Sequence, residues 1–290
     1  MQDIGIIAHG AKDAALQVAL SAYKCLLERG VHVRLQHHVA DAIGESELGL
    51  PDSAVTDAEA VLVLGGDGTI LATARECASK STPMLPVHLG RFGFLTETAP
   101  EHLNESLDRL LAGEYTVEER MMLWTVSERA GQDQDQASVF ALNDVVVANG
   151  PLSRVLHLSL SVDNEYVTTY AADGVIIATP TGSTAYSLSA GGPLVHPELQ
   201  VLLVTPICPH TLTSRALLVP PHSEIAITVE RDPQDTVRVT VDGQLGFPLA
   251  HGDTIRVRKA EKSARLINVG GADFYQKLQS KLRWGERLVY

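Results

Sequence analysis

Basic residues are scarce in this chain. Its 290 residues hold 23 Lys and Arg against 35 Asp and Glu, a formal net charge of −12. Contact with a nucleic-acid backbone needs clustered cations, so no nucleic-acid partner is expected. Phosphate can still be bound, but only by local devices: backbone amides, a few cations, a metal ion. Cysteine is scarcer still. Cys25, Cys77 and Cys208 are far apart and odd in number, neither a disulfide framework nor a zinc set. All three are expected as small buried apolar residues. His37 and His38 are adjacent, so their side chains diverge and no metal site is expected there. Long apolar runs are also missing: none reaches the roughly 18 residues of a membrane helix. No basic segment and signal core precede the strand-like run Ile4–Ala8. A cytoplasmic location without a membrane partner is the expectation.

What remains is ordinary globular composition, 45% hydrophobic and 20% charged. The length exceeds what one core usually supports, so two domains are expected. The first hundred residues alternate strand and helix patterns. Ile4–Ala8, Val31–Leu35, Val61–Leu64 and Pro86–Leu89 read as buried strands. Leu16, Ala19, Leu20, Tyr23 and Leu27 recur at helical spacing, with Gly30 as the stop. This order predicts an open α/β sheet with mostly parallel strands over residues 1–115.

Beyond that point the period changes to two. Leu156, Leu158, Leu160 and Val162 alternate with polar residues, as do Ile225, Ile227 and Val229, Val237, Val239 and Val241, and Ile255 and Val257. A mainly antiparallel β domain over 116–271 is expected, making the whole chain a two-domain α+β protein. Polar connections are expected at Gly131–Gln136 and Arg231–Asp235. A last helix, about 272–290 with Phe274, Leu278 and Leu282 on one face, is expected to return to the first domain.

Gly65-Gly66-Asp67-Gly68-Thr69 closes the third strand and opens a helix. Glycines let backbone approach a phosphate, a helix N-terminus favours an anion, and Thr69 is placed to cap the helix. Asp67 is the odd member, because an anion site gains nothing from a carboxylate unless it manages a proton or a metal. It either accepts a proton from an attacking hydroxyl or coordinates Mg²⁺ through water. The competing reading is a plain tight turn. Neither a Rossmann fingerprint nor a Walker loop is present, which disfavours an ordinary dehydrogenase or P-loop kinase.

Asp173–Pro193 reads DGVIIATPTGSTAYSLSAGGP. Small hydroxyl residues between glycines make little core and much hydrogen-bonding surface, and Tyr186 adds an aromatic body with a polar tip. With GGDGT, the Asn143-Asp144 pair and Val241-Asp242-Gly243-Gln244 in order, the chain resembles the NAD kinase family over about residues 4–250. GGDGT alone is shared with lipid kinases and phosphofructokinases. The central stretch is what selects NAD kinases.

The resemblance implies an active site in the cleft between an α/β and a β-rich domain. It also implies phosphorylation of the adenosine 2′-hydroxyl of NAD, with ATP or polyphosphate as donor and a divalent metal, usually Mg²⁺. A homodimer or homotetramer is implied as well. Asp67 is then the catalytic proton acceptor, with Gly66 and Gly68 lending backbone. Asn143 and Asp144 face the dinucleotide, although the family's pair is commonly Asn-Glu, and Asp144 also fits a strand-end role. Asp173 is carried over as a contact to the adenine. Thr184, Ala185, Tyr186, Ser187, Leu188 and Ser189 form the nucleotide-binding segment, and Gln244 joins them. Arg154 is either a ligand contact or a solvated surface residue, and Phe94 lines either the adenine pocket or the core. Two other readings compete: a lipid kinase, disfavoured by the charge and the central stretch, and a non-catalytic dinucleotide sensor, which would have no need of Asp67.

Overall fold

The computed structural model describes residues 1–10, 13–90, 93–130, 138–150, 155–231, 237–270 and 273–283. Arg154, Trp284, the connection at 131–136 and most of the one at 231–235 lie outside them.

The apolar runs of the first hundred residues become strands of one sheet. In chain order the elements are β1 (Asp3–Ala8), α1 (Asp13–Glu28), β2 (His32–Gln36), α2 (His37–Ile43), β3 (Gly49–Leu50), α3 (Asp52–Val55), β4 (Ala60–Gly65), α4 (Asp67–Lys80), β5 (Met84–His88), α5 (Leu103–Ala112) and β6 (Thr116–Arg120). There follow β7 (Leu123–Glu128), β8 (Val139–Ala141), β9 (Asp144–Asn149), β10 (Leu156–Val162), β11 (Glu165–Ala172), β12 (Gly174–Ala178), α6 (Tyr186–Ser189), β13 (Leu202–Ile207) and β14 (Leu217–Val219). The chain ends with β15 (Ile225–Arg231), β16 (Val237–Val241), β17 (Leu245–Pro248), β18 (Thr254–Lys259), β19 (Ala264–Asn268) and α7 (Phe274–Leu282).

Two compact units result: Met1–Glu119 with Ala264–Tyr290, and Arg120–Ser263. The first contains a seven-stranded sheet in the order β3-β2-β1-β4-β5-β19-β6. Its pairs β1–β2, β1–β4, β4–β5 and β5–β19 are parallel. Every residue of β4 is buried, as a parallel strand covered on both faces requires. The β-rich domain expected over 116–271 would include β19, which instead pairs with β5. A five-residue strand segment does not say which sheet will receive it. On α1 the buried stripe is Ala15, Ala19, Ala22, Tyr23, Cys25 and Leu26, while Leu27, expected on the inner face, is exposed. Small alanines let that helix lie close to the sheet.

The second unit is built of two six-stranded sheets, β11-β10-β15-β18-β7-β8 and β14-β13-β12-β9-β16-β17. Leu156, Leu158 and Leu160 of the first share one core with Val145, Val147, Val175 and Ile177 of the second. The alternating residues read from the sequence are the ones that meet there. Cys25 and Cys77 are buried, and burial pushes the Cys77 thiol up to about 12. Cys208 corrects the expectation of burial: it is exposed, in a turn with φ 46°. No described helix is long and apolar enough to cross a membrane.

Candidate active site

The glycine turn leaves β4 and enters α4 without a side-chain cap. Gly66, in extended conformation, is the N-cap, and α4 begins at Asp67. Thr69 is therefore not the cap that its position suggested. It is the third helical residue, and its side chain folds back on the strand end. A Cβ at Gly65 would stand 2.4 Å from Thr69 Oγ1, so this turn needs glycine at 65.

The Asp67 carboxylate lies against the chain at Gly93-Phe94. The Phe94 amide donates to Oδ2 at 3.3 Å, and the Gly93 amide donates to Thr96 Oγ1 at 3.0 Å. Oδ1 is buried and has no hydrogen-bond partner among the described residues. A Cβ at Gly93 would come within 1.9 Å of that oxygen. Only glycine allows this approach. Phe94 is half-buried, and its backbone is what reaches Asp67. Gly68 is exposed at the first turn of α4.

The second unit holds the Asn143-Asp144 pair at the start of β9. Thr179, just past β12, grips it from one side: its hydroxyl donates to the Leu142 carbonyl at 2.6 Å and its amide to the Asn143 carbonyl at 2.9 Å. Gly182 packs so close that a Cβ would stand 2.1 Å from the Asn143 carbonyl oxygen. From the other side the Asp242 carboxylate accepts from the amides of Leu142, Asn143 and Asp144 at 3.1, 2.7 and 3.3 Å. Asp242 and Gly243 both have positive φ, 52° and 64°, in the turn between β16 and β17. Gln244, exposed, closes that turn with its amide on the Val241 carbonyl at 3.0 Å. No described residue hydrogen-bonds the Asn143 carboxamide. Asp144 is 5% exposed. Burial, and then the neighbouring Asp242 charge, push its carboxyl up to about 7.

Asp173 is not brought to this cluster. It precedes β12, with its carbonyl accepting from the Asn149 amide at 3.1 Å. Asp144 pairs with Ala178 at the other end of that strand, about 17 Å away at the rise of an extended chain. The 184–189 segment divides. Ser187 is fully buried, with its hydroxyl on Thr205 at 2.9 Å. Thr184 donates to the Thr181 carbonyl at 3.1 Å, and Tyr186 and Ser189 are exposed. Ala185 and Leu188 are half-buried. Ser187 therefore holds the segment in place, and its side chain is not on offer to a ligand. Gly93, against the Asp67 carboxylate, and Asp242, beneath the Asn143-Asp144 pair, are the residues that sequence reasoning overlooked. The turn signal Asp242-Gly243 was visible, but not the amides it clamps about a hundred residues earlier.

Comparison with known proteins identifies the family. Residues 4–115 match the ATP-NAD kinase N-terminal domain and residues 142–269 the ATP-NAD kinase C-terminal domain. An NAD kinase from Moorella thermoacetica is 47% identical over 285 residues, 98% of this chain and 90% of its own length. One from Geobacter sp. is 43% identical over 290 residues, 99% of this chain and all of its own. Among solved structures, yeast NADH kinase complexed with NADH superposes with a TM-score of 0.90 at 26% identity, covering 100% of this chain and 90% of that one. An NAD kinase from Archaeoglobus fulgidus in complex with ATP shares the fold, with a TM-score of 0.76 at 24% identity, covering 98% and 99% of the two chains. Matched along nearly its whole length by such relatives, the chain belongs to the NAD kinase family.

Proposed function

We propose a division of labour for the phosphorylation of NAD to NADP, the reaction of this family, in which Asp67 accepts the proton of the adenosine 2′-hydroxyl. The carrying observation is the buried Oδ1 of Asp67, which has no hydrogen-bond partner among the described residues, beside an Oδ2 fixed by the Phe94 amide. A hydroxyl is a poor nucleophile until its proton can leave, and a positioned carboxylate supplies that route. Positioning and charge stabilisation supply most of the remaining rate.

Asn143 offers the dinucleotide a carboxamide on a backbone held from both sides. Asp144, with its carboxyl near neutrality in pKa, donates when protonated and accepts when ionised. Tyr186, Ser189 and Gln244 present exposed groups to the nucleotide, while Ser187 acts through backbone. A divalent cation, Mg²⁺ in this reading, suits the residues present. Such an ion would be held chiefly by water and the donor's phosphates, with Asp67 meeting it through water. When bound, it would supply charge neutralisation at the phosphoryl oxygens. ATP or polyphosphate as donor, a homodimer or homotetramer, and a cytoplasmic location complete the reading. Purified protein given Mg²⁺, ATP and NAD should produce NADP, measured with an NADP-specific dehydrogenase. Phosphorylation of a diacylglycerol or sphingoid base with no NADP formed would overturn it.

A further inference from the structure

The turn after β16 asks more of residue 242 than turn geometry does. Two central residues with positive φ accept Asn, Asp or Gly. Here, however, three consecutive amides, Leu142, Asn143 and Asp144, converge on the two oxygens of Asp242 at 2.7 to 3.3 Å. An asparagine has one oxygen to offer and a glycine none. The Asp242 amide in turn donates to the Asp144 carbonyl at 2.9 Å. Asp242 is 7% exposed, so these charge-assisted bonds compete little with bulk water. Successive amides around an anion are an arrangement proteins normally use for ligands; here the anion is the protein's own.

The conformation of the Asn143-Asp144 backbone thus depends on a residue about a hundred positions later. We propose that Asp242 is a positioning residue for the kinase reaction, which orients the Asn143 and Asp144 side chains toward the dinucleotide by clamping the amides beneath them. The inference rests on the assignment of that pair to dinucleotide binding. A second consequence follows from the same placement. Among the described residues Asp242 is the charged group that bears on Asp144, and with burial it keeps that carboxyl protonated up to about neutral pH.

The test measures NAD affinity by calorimetry, and kcat, from pH 5.5 to 8.5. The proteins are wild type, Asp242→Asn and Asp242→Ala. Asp242→Asn keeps the turn and one acceptor oxygen but removes the charge, so it decides the matter if the alanine variant fails to fold. Wild-type affinity should change with pH around neutrality. In Asp242→Asn that midpoint should fall by at least about one pH unit, and affinity at pH 7 should drop while kcat at saturating NAD changes less. Asp242→Ala, where folded, should lose at least about tenfold in affinity, the three amides being left without acceptors. A purely structural turn residue would not move the midpoint. An Asp242→Asn profile superimposed on wild type, or a flat wild-type profile, would overturn the inference. If wild type makes NADP and only these profiles fail, Asp242 alone is removed. If wild type makes none, the functional reading falls too.

Discussion

Replacing Gly93 by alanine should disable the enzyme while leaving it folded. The new Cβ would stand 1.9 Å from Asp67 Oδ1, 2.6 Å from Cγ and 2.8 Å from Oδ2. Relaxed contacts between such atoms lie near 3.5 Å, so the carboxylate or the Gly93 backbone must retreat by roughly an ångström or more. The Phe94 amide bond, already 3.3 Å long, has no slack to follow. Misplacing a catalytic group by about 1 Å costs on the order of 10²-fold in rate, which is about 2.7 kcal/mol of transition-state stabilisation. Overpacking costs stability as well, about 1–3 kcal/mol, against the roughly 5–15 kcal/mol that holds a domain folded. The catalytic effect should therefore dominate at 25 °C. The assay is steady-state NADP formation, with thermal unfolding in parallel. The expected outcome is a fall in kcat of about 10²-fold, a lowered Tm and a folded protein at the assay temperature. A kcat within threefold of wild type would refute the claim that this glycine exists to admit the Asp67 carboxylate.

Asp144→Asn should stabilise the protein at and above neutral pH. A carboxyl raised from 3.8 to about 7 in the folded state binds its proton more tightly folded than unfolded. Stability is therefore lost as pH climbs between those values, by on the order of 4 kcal/mol in total. The variant lacks that loss, so its Tm advantage should be absent near pH 4, grow to about pH 7 and level off. An advantage that does not depend on pH would contradict the raised pKa. Gly182→Ala puts a Cβ 2.1 Å from the Asn143 carbonyl oxygen, and should raise the KM for NAD by on the order of tenfold, with kcat less affected. Lys277 and Glu97, paired at 2.6 Å and almost wholly buried, form an ion pair in the first unit. Lys277→Met should cost about 3–5 kcal/mol by removing the cation from a buried ion pair, and the double variant with Glu97→Leu should recover much of it. Denaturant titration would show both, and equal losses in the single and double variants would contradict this reading.

How much of this could be read in advance depended on how local the cause was. β4 and the turn after it were legible because four apolar residues, two glycines and an aspartate specify them within one short stretch. The alternating strands of the second unit were legible because burial on one face imposes a period of two. β19 follows β18 closely in the chain, yet it joins a parallel sheet, and only the completed fold decides that. Asp242 looked like a turn residue because the amides it holds lie 98 to 100 positions away. Gly93 carried no sign of the carboxylate that its missing side chain admits. Asp173 sat in the right motif, but its place at the far end of β12 is a matter of register. Thr69 misled because N-cap preference is statistical, and here a glycine in extended conformation starts the helix.

The central claim is that Asp67 takes a proton and does not merely help to bind the dinucleotide. Asp67→Asn keeps the shape and the oxygen facing the Phe94 amide but removes the base. NAD affinity by calorimetry and kcat for NADP formation should be measured on the same preparation. The account predicts affinity within a few-fold of wild type and a kcat lowered by about 10²–10⁴-fold. Full turnover in Asp67→Asn would contradict it.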